Sequence, residues 1–305
     1  MAVATAHVLH GIQSSSPSAF ISQISNARAS TGIDVLVAKA AGFPEPLFTG
    51  NQHQEPGITF DSTQISTILG VCGLTIGSLT AGNTDLWFKK LTHLASRLAD
   101  ATAGHTRIRM AEAFLVCNRI SAGHRQEAVA QCRVGAIYDG SNEPMVPAGS
   151  TALSGTPTAA EHFFAGPVFI NGTQIFGVQD IEIDFGRTLI EAGGESELYN
   201  TFVAEEGIAP IITIRTLDLP WTAFTINGTA LTSMSVYLRK QATVGKTANA
   251  TTEHIKFAAT SGLIVLDESE AGDNNPQMAT IRCVLKAPNA SGAALTLTNG
   301  VAITT

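Results

Sequence analysis

Eight histidines and four cysteines are the residues of this 305-residue chain best equipped for chemistry. Cys72, Cys117, Cys132 and Cys283 form no Cys-x-x-Cys pair and accompany no histidine cluster. They read as small buried thiols of a reducing compartment rather than as metal ligands or disulfide partners. His7 and His10 are two neighbouring donors without a third, too few for a zinc site. His53 sits in a polar stretch and reads as solvated. His105 and His254 stand at matching places in the two halves, but no Gly-x-Ser-x-Gly nucleophile motif goes with them. A strand-entry histidine making a structural hydrogen bond is the expectation. Asp267, Glu268, Glu270 and Asp273 crowd one loop without the Asp-x-Asp-x-Asp-Gly spacing of a calcium site. No phosphate-cradling glycine loop is present. Glycoside chemistry needs two carboxylates at a set spatial separation, which chain spacing does not give. The expectation is a protein that is not an enzyme and that holds neither cofactor nor metal.

Composition agrees with a structural task. Charged residues make up 14% of the chain, well under the usual quarter, and Thr, Ala, Gly and Ser fill the difference. A surface so poor in charge suits an assembled protein better than a free monomer. The formal net charge of −7 argues against a domain that grips phosphates through a basic patch. The start MAVATAHVLHG has neither the basic region nor the apolar core of a secretory signal. No apolar run approaches the ~20 residues of a membrane helix, so no membrane partner is expected.

The strongest pattern lies between Gly166 and Asp218. Ile181, Ile183 and Phe185 share one parity, and Asp180, Glu182 and Asp184 the other; Ile212 and Ile214 likewise oppose Thr213 and Arg215. Such alternation predicts half-buried strands. Ile33–Val37, Ile58–Phe60, Leu74–Leu79, Arg107–Val116, Ala128–Ile137, Trp221–Ile226, Ser235–Arg239, Ile255–Leu266, Met278–Lys286 and Leu295–Ile303 also read as strands. One flanking helix is expected at about 85–103, where Trp87, Phe88, Leu91, Leu94, Ala95 and Leu98 recur at three- and four-residue steps before Gly104. The stretch Asp139–Ala160, rich in Gly, Ser, Pro and Thr, is a linker or an ordered arm. It divides the chain into two β domains, 1–150 and 151–305.

The halves echo each other. From His105 to His254 the offset is 149 residues, and Val116/Val265, Ala130/Ala279 and Arg133/Arg282 keep it without a gap. Thr75-Ile76 falls on Thr225-Ile226 at 150, and Phe48, Pro56, Ile58 and Thr59 fall on Phe202, Pro210, Ile212 and Thr213 at 154. The order is collinear, which points to an internal duplication. A period this long is a domain, not a solenoid repeat.

The run GVQDIEIDFG, then a Gly-rich polar excursion, then Tyr199, Phe202-Val203-Ala204, Pro-Ile-Ile and a strand ending in Leu-Asp resembles the tail tube proteins of long-tailed bacteriophages. GFPEPLF and EPGITFDSTQ in the first half are similar to the same scheme more loosely, and the likeness spans roughly 50 residues in each half. The resemblance implies two tandem β-sandwich or partial-barrel domains of tube type. It implies a virion protein of the viral tail, assembled in the host cytoplasm, whose sheets join those of neighbours in a ring. Rings stack into a tube through which DNA passes at ejection. It implies as partners other copies of the chain, the tail terminator, tape measure and distal tail proteins, and DNA only in transit. Members usually carry one unit and form hexamers, so two units imply a homotrimer with pseudo-hexameric symmetry. The inter-ring loops implied are Arg28–Leu47, with Pro44 and Pro46, and Gly186–Thr201, with Arg187, Glu191, Glu195 and Glu197. Other readings are a capsid decoration or head-to-tail joining protein, or a carbohydrate-binding adhesin sandwich.

A bore that passes DNA must not hold it. Duplex DNA carries a charge per ~1.7 Å of axis, and at ~0.15 M salt fields reach ~8 Å. Thr59, Asp61, Asp180, Glu182, Asp184, Thr213 and Arg215 are the expected lumen-facing residues, with Arg215 the one base among them.

Overall fold

A computed structural model describes residues 6–72, 79, 81–92, 97–158, 161–194, 197–219, 225, 227–272 and 275–304. The described chain is mostly β with one helix. The first half runs β1 (Ala6–Ser15), β2 (Ser18–Ile21), β3 (Ile24–Ser30), β4 (Ile33–Ala38), β5 (Phe48–Gln54), β6 (Gly57–Ser62), α1 (Ile65–Cys72), β7 (Gly82–Leu91), β8 (His105–Gly123), β9 (Val129–Ala136) and β10 (Met145–Thr151). The second runs β11 (Phe163–Ile170), β12 (Thr173–Asp184), β13 (Arg187–Ala192), β14 (Phe202–Ile208), β15 (Ile211–Asp218), β16 (Thr229–Leu231), β17 (Met234–Lys240), β18 (His254–Ala259), β19 (Gly262–Gly272), β20 (Asn275–Leu285) and β21 (Thr296–Val301).

The ladders occur twice. In the first half β1 pairs with β2 and β7, β8 with β7, β9 and β10, β6 with β3 and β9, and β4 with β5. In the second, β11 pairs with β12 and β17, β18 with β17 and β21, β20 with β19 and β15, β12 with β15, and β13 with β14. Registers repeat as well as partners. Arg28 faces Thr59 as Glu182 faces Thr213, and Ile33 faces Gln54 as Arg187 faces Ile208, all at an offset of 154. Cys117 faces Cys132 as Leu266 faces Ile281, at 149. Even the irregularities recur: bulges fall at Asp34/Val35 and Thr188/Leu189, and at Cys117/Arg119 and Leu266/Glu268. Bulges disrupt a ladder locally and persist where they aim something, so their repetition marks two copies of one unit. The work of β8 is divided in the second half, where the strand expected over Ile255–Leu266 breaks at residues 260–261 into β18 and β19.

The two units are fused rather than strung apart. The end of β8 pairs antiparallel with β12, from Gly123↔Asp180 to Arg119↔Asp184. One hydrophobic cluster runs through both halves, from Ile12, Ile58 and Cys117 to Ile183, Ile214 and Phe257. Described residues after β10 are tied to the first half: Gln64 Nε2 donates to Thr158 Oγ1 at 2.8 Å, Ser66 bonds Glu161, and Gly155 lies against Phe20.

The helix expected at about 85–103 is replaced by β7 over Gly82–Leu91; Leu94 and Ala95 lie outside the described residues. Pairing overrides the helical spacing. Held between β1 and β8, β7 buries Thr84 and Leu86 on one side and sets Asp85 and Trp87 on the other. There Asp85 meets Arg109 at 2.9 Å, and Arg107 lies 5.6 Å over the Trp87 ring. The actual helix, α1, buries Ile65, Ile68, Leu69 and Cys72, a stripe at i, i+3, i+4 and i+7 that the sequence reading passed over. The strand readings at Leu74–Leu79 and Trp221–Ile226 fall, apart from Leu79 and Thr225, outside the described residues.

Candidate functional site

The joint between halves makes one unbroken antiparallel run of eight strands, β3–β6–β9–β8–β12–β15–β20–β19. Side chains directly opposite across a ladder point to the same face. On one face Ile58, Phe60, Ile181, Ile183, Ile212 and Ile214 enter the core, each at most 2% exposed. The register sets Thr59, Asp61, Asp180, Glu182, Asp184, Thr213 and Arg215 all on the other face. The alternation of single strands was therefore enough to find this face.

It was not enough to find the charges that share it. Arg28 faces Thr59, Arg133 faces Thr59 from the other side, Arg119 faces Asp184, and Arg282 faces Thr213. Arg215 is thus not the one base there, and Arg28 belongs to β3 on this face rather than to the following loop. Three of these arginines are tied to carboxylates. Arg119 Nη1 reaches Glu182 Oε1 at 3.0 Å, across the joint between halves. Arg133 Nη2 holds Glu55 at 2.6 Å and Glu191 at 2.9 Å, and Arg282 Nη2 holds Asp267 at 3.0 Å. Burial pushes the Glu191 carboxyl above its ordinary range, with Arg133 pulling the other way. The face carries charge of both signs, with Arg28, Arg119, Arg133 and Arg282 beside the Arg215 expected from sequence.

The face has two unlike ends. At β3 and at the Glu268–Gly272 part of β19 no further strand is paired among the described residues. By the repeated register these two edges are the equivalents of β12 and of the end of β8, the strands that meet inside the chain.

No protein-family model matches the chain, and no curated protein does.

The two polar excursions are both hairpins, with different fates. β13–β14 lies against the first half: Glu191 pairs with Arg133, Arg187 and Glu205 form a fully buried pair at 2.6 Å, and Tyr199 lies beside Tyr138 with ring centroids 5.6 Å apart. The N–H of Glu197 donates to the carbonyl of Gly194 at 3.0 Å, and Glu195 lies outside the described residues. β4–β5 instead stands out from the molecule. Every residue of β4 is exposed, as are Phe43, Leu47 and Phe48, and Pro44 and Pro46 stiffen its tip.

Two histidines and the cysteines resolve into packing. His105 and His254 are both fully buried and bonded alike. Nδ1 accepts from the N–H of Lys90 or Lys240, at 3.0 and 3.2 Å. Nε2 donates to the carbonyl of Ala99 or Ala248, at 3.1 and 3.0 Å. These bonds hold a neutral Nε2–H imidazole as a structural clasp in each unit. All four cysteines are buried thiols, and burial drives the Cys283 thiol up to about 12.

Proposed function

We propose that this chain is a tail tube subunit of phage type: three copies close into a ring around a bore for DNA, and rings stack into a tube. The observation carrying the reading is the joint. The chain contains two units related by a repeated register, makes one unit-to-unit seam internally, and ends in the two edges that such a seam uses. An unpaired edge invites another strand. A heterologous contact that repeats either closes into a ring or runs on as a filament.

Size and charge support closure around DNA. Three copies of an eight-stranded run give a barrel of 24 strands. With strands ~4.8 Å apart and tilted by about 40°, its backbone radius is roughly 24 Å. A duplex passes through that bore with space for side chains. Arg119, Arg133 and Arg282, already held by carboxylates, have less left for phosphates, and Asp61, Asp180 and Asp184 share the face with Arg28 and Arg215. The work is mechanical and electrostatic.

Negative-stain microscopy and mass photometry of the purified chain test the reading. Hollow rings or rods, with a three-chain species as the smallest closed form, are expected. A protein that stays monomeric at ~100 μM, or that pairs as a two-fold dimer, overturns it.

A further inference from the structure

We propose that the apolar cavity of the second half is the seat of the β4–β5 hairpin tip from another copy of this chain. The proposal rests on the ring reading and adds where the neighbour's hairpin goes.

The template is inside the molecule. The tip of β13–β14 docks on the first half through two backbone bonds. The N–H of Gln54 donates to the carbonyl of Leu198 at 2.7 Å, and the N–H of Tyr138 donates to the carbonyl of Asn200 at 2.8 Å. Between them Tyr199 bridges to Gln54 and lays its ring beside Tyr138. The repeated register converts each member. At an offset of 154, Gln54 becomes Ile208 and Leu198–Asn200 become Pro44–Pro46; at 149, Tyr138 becomes Ala287.

The receiving side is present and unfilled by the described residues of its own chain. Ile208 and Ala287 both line a cavity of about 600 Å³, along with Phe185, Ala209, Leu285 and Leu295. Alanine where the first half has Tyr138 leaves room that the first half does not have. The donor side fits that room. The β4–β5 and β13–β14 loops span residues 39–47 and 193–201, nine residues each. Phe43 is 51% exposed, Leu47 61% and Phe48 56%, so the tip offers the apolar bulk that an alanine-lined site lacks. Leu198 and Asn200 act only through carbonyl oxygens in the two bonds above, a role proline keeps although it has no N–H. Two prolines also hold the tip in shape before it docks, which lowers the ordering cost of binding.

The occupant is a second copy. The hairpin follows β3 at one end of the eight-strand run, whereas β19 closes the other end. The hairpin of the second half reaches across the internal seam, so by the same relation the hairpin of the first half reaches across the seam between chains. A two-stranded hairpin standing alone in water is marginal, and a cluster of exposed large apolar residues marks a contact surface.

Cysteines report the contact. The pair Glu45→Cys and Ile208→Cys replaces the equivalents of Tyr199 and Gln54. Oxidised with diamide after assembly, the double variant is expected to give covalent dimers and trimers on non-reducing gels. Mixing the two single variants should give dimers that neither gives alone. Tyr199→Cys with Gln54→Cys, the control, should lock within one chain. Leu47→Asp alters a residue exposed in the free chain, and should raise the concentration needed for assembly at least tenfold. Rings that form without the Glu45→Cys/Ile208→Cys link overturn the proposal and leave the ring reading standing, as does unchanged assembly of Leu47→Asp. A chain that forms no rings removes both.

Discussion

Arg119 and Glu182 meet at 3.0 Å where the halves join. Their equivalents at the two unused edges are Glu268 and Arg28, the same pair of positions with the signs exchanged. The reversal would make the two seams electrostatically distinct. An edge carrying Arg28 that met the internal partner, Arg119, would set like charges together, and such repulsion is how interfaces reject wrong partners. We predict that Arg28→Glu raises the assembly concentration about tenfold, and that adding Glu268→Arg to the same chain restores it, read by sedimentation velocity. Equal assembly by single and double variants would remove the pairing. Thiols give a second test at this scale. At pH 8 a small disulfide reagent should label none of the four cysteines in the native chain and all four in urea, because each is buried out of the reagent's reach. Rapid native labelling would contradict that burial.

At the scale of elements, the two excursions turn on one feature. Gly32 and Gly186 open them with φ of +59° and +54°. A Cβ there would lie 1.9 Å from the Glu55 carbonyl oxygen and 2.2 Å from that of Ala209. Each glycine carbonyl in turn accepts from the residue it approaches, Glu55 or Ala209, at 3.1 Å. Gly32→Ala and Gly186→Ala should each cost about 1–3 kcal/mol in urea unfolding, while Gly149→Ala, with open space around it, should be neutral. Equal midpoints for all three would refute the strain. The strands around these glycines were legible because Asp180–Phe185 and Ile212–Arg215 alternate, and alternation reports one face directly. The face's arginines were not legible. Arg119, Arg133 and Arg282 lie far along the chain from Glu182, so only register shows that they share a surface with it. The helix reading failed for a related reason. Trp87, Phe88 and Leu91 happen to fall at helical steps, but Asp85 and Trp87 find their partners on β8, and that pairing decides the conformation. The short α1 stripe was overlooked because it follows directly on the strand ending at Ser62.

For the whole molecule, duplication was legible as collinear offsets, and the ladders convert it into register. Fusion of the units was not legible, because no residue type announces that β8 and β12 are neighbours. It has a thermodynamic consequence. With one cluster spanning Ile12 to Phe257 and a shared sheet, the chain should unfold in a single cooperative transition. Far-UV circular dichroism and tryptophan fluorescence should give coincident urea curves. Two separated transitions would mean that the halves are energetically independent.

The internal β8–β12 seam also bears on counting. Every chain brings its wedges in twos, so a closed circle made from it always holds an even number of them. Its seams alternate between one tethered by the backbone and one that dilution can open. Such a circle comes apart into whole chains and never into single wedges, and mutations can tune every second seam while the rest stay as they are.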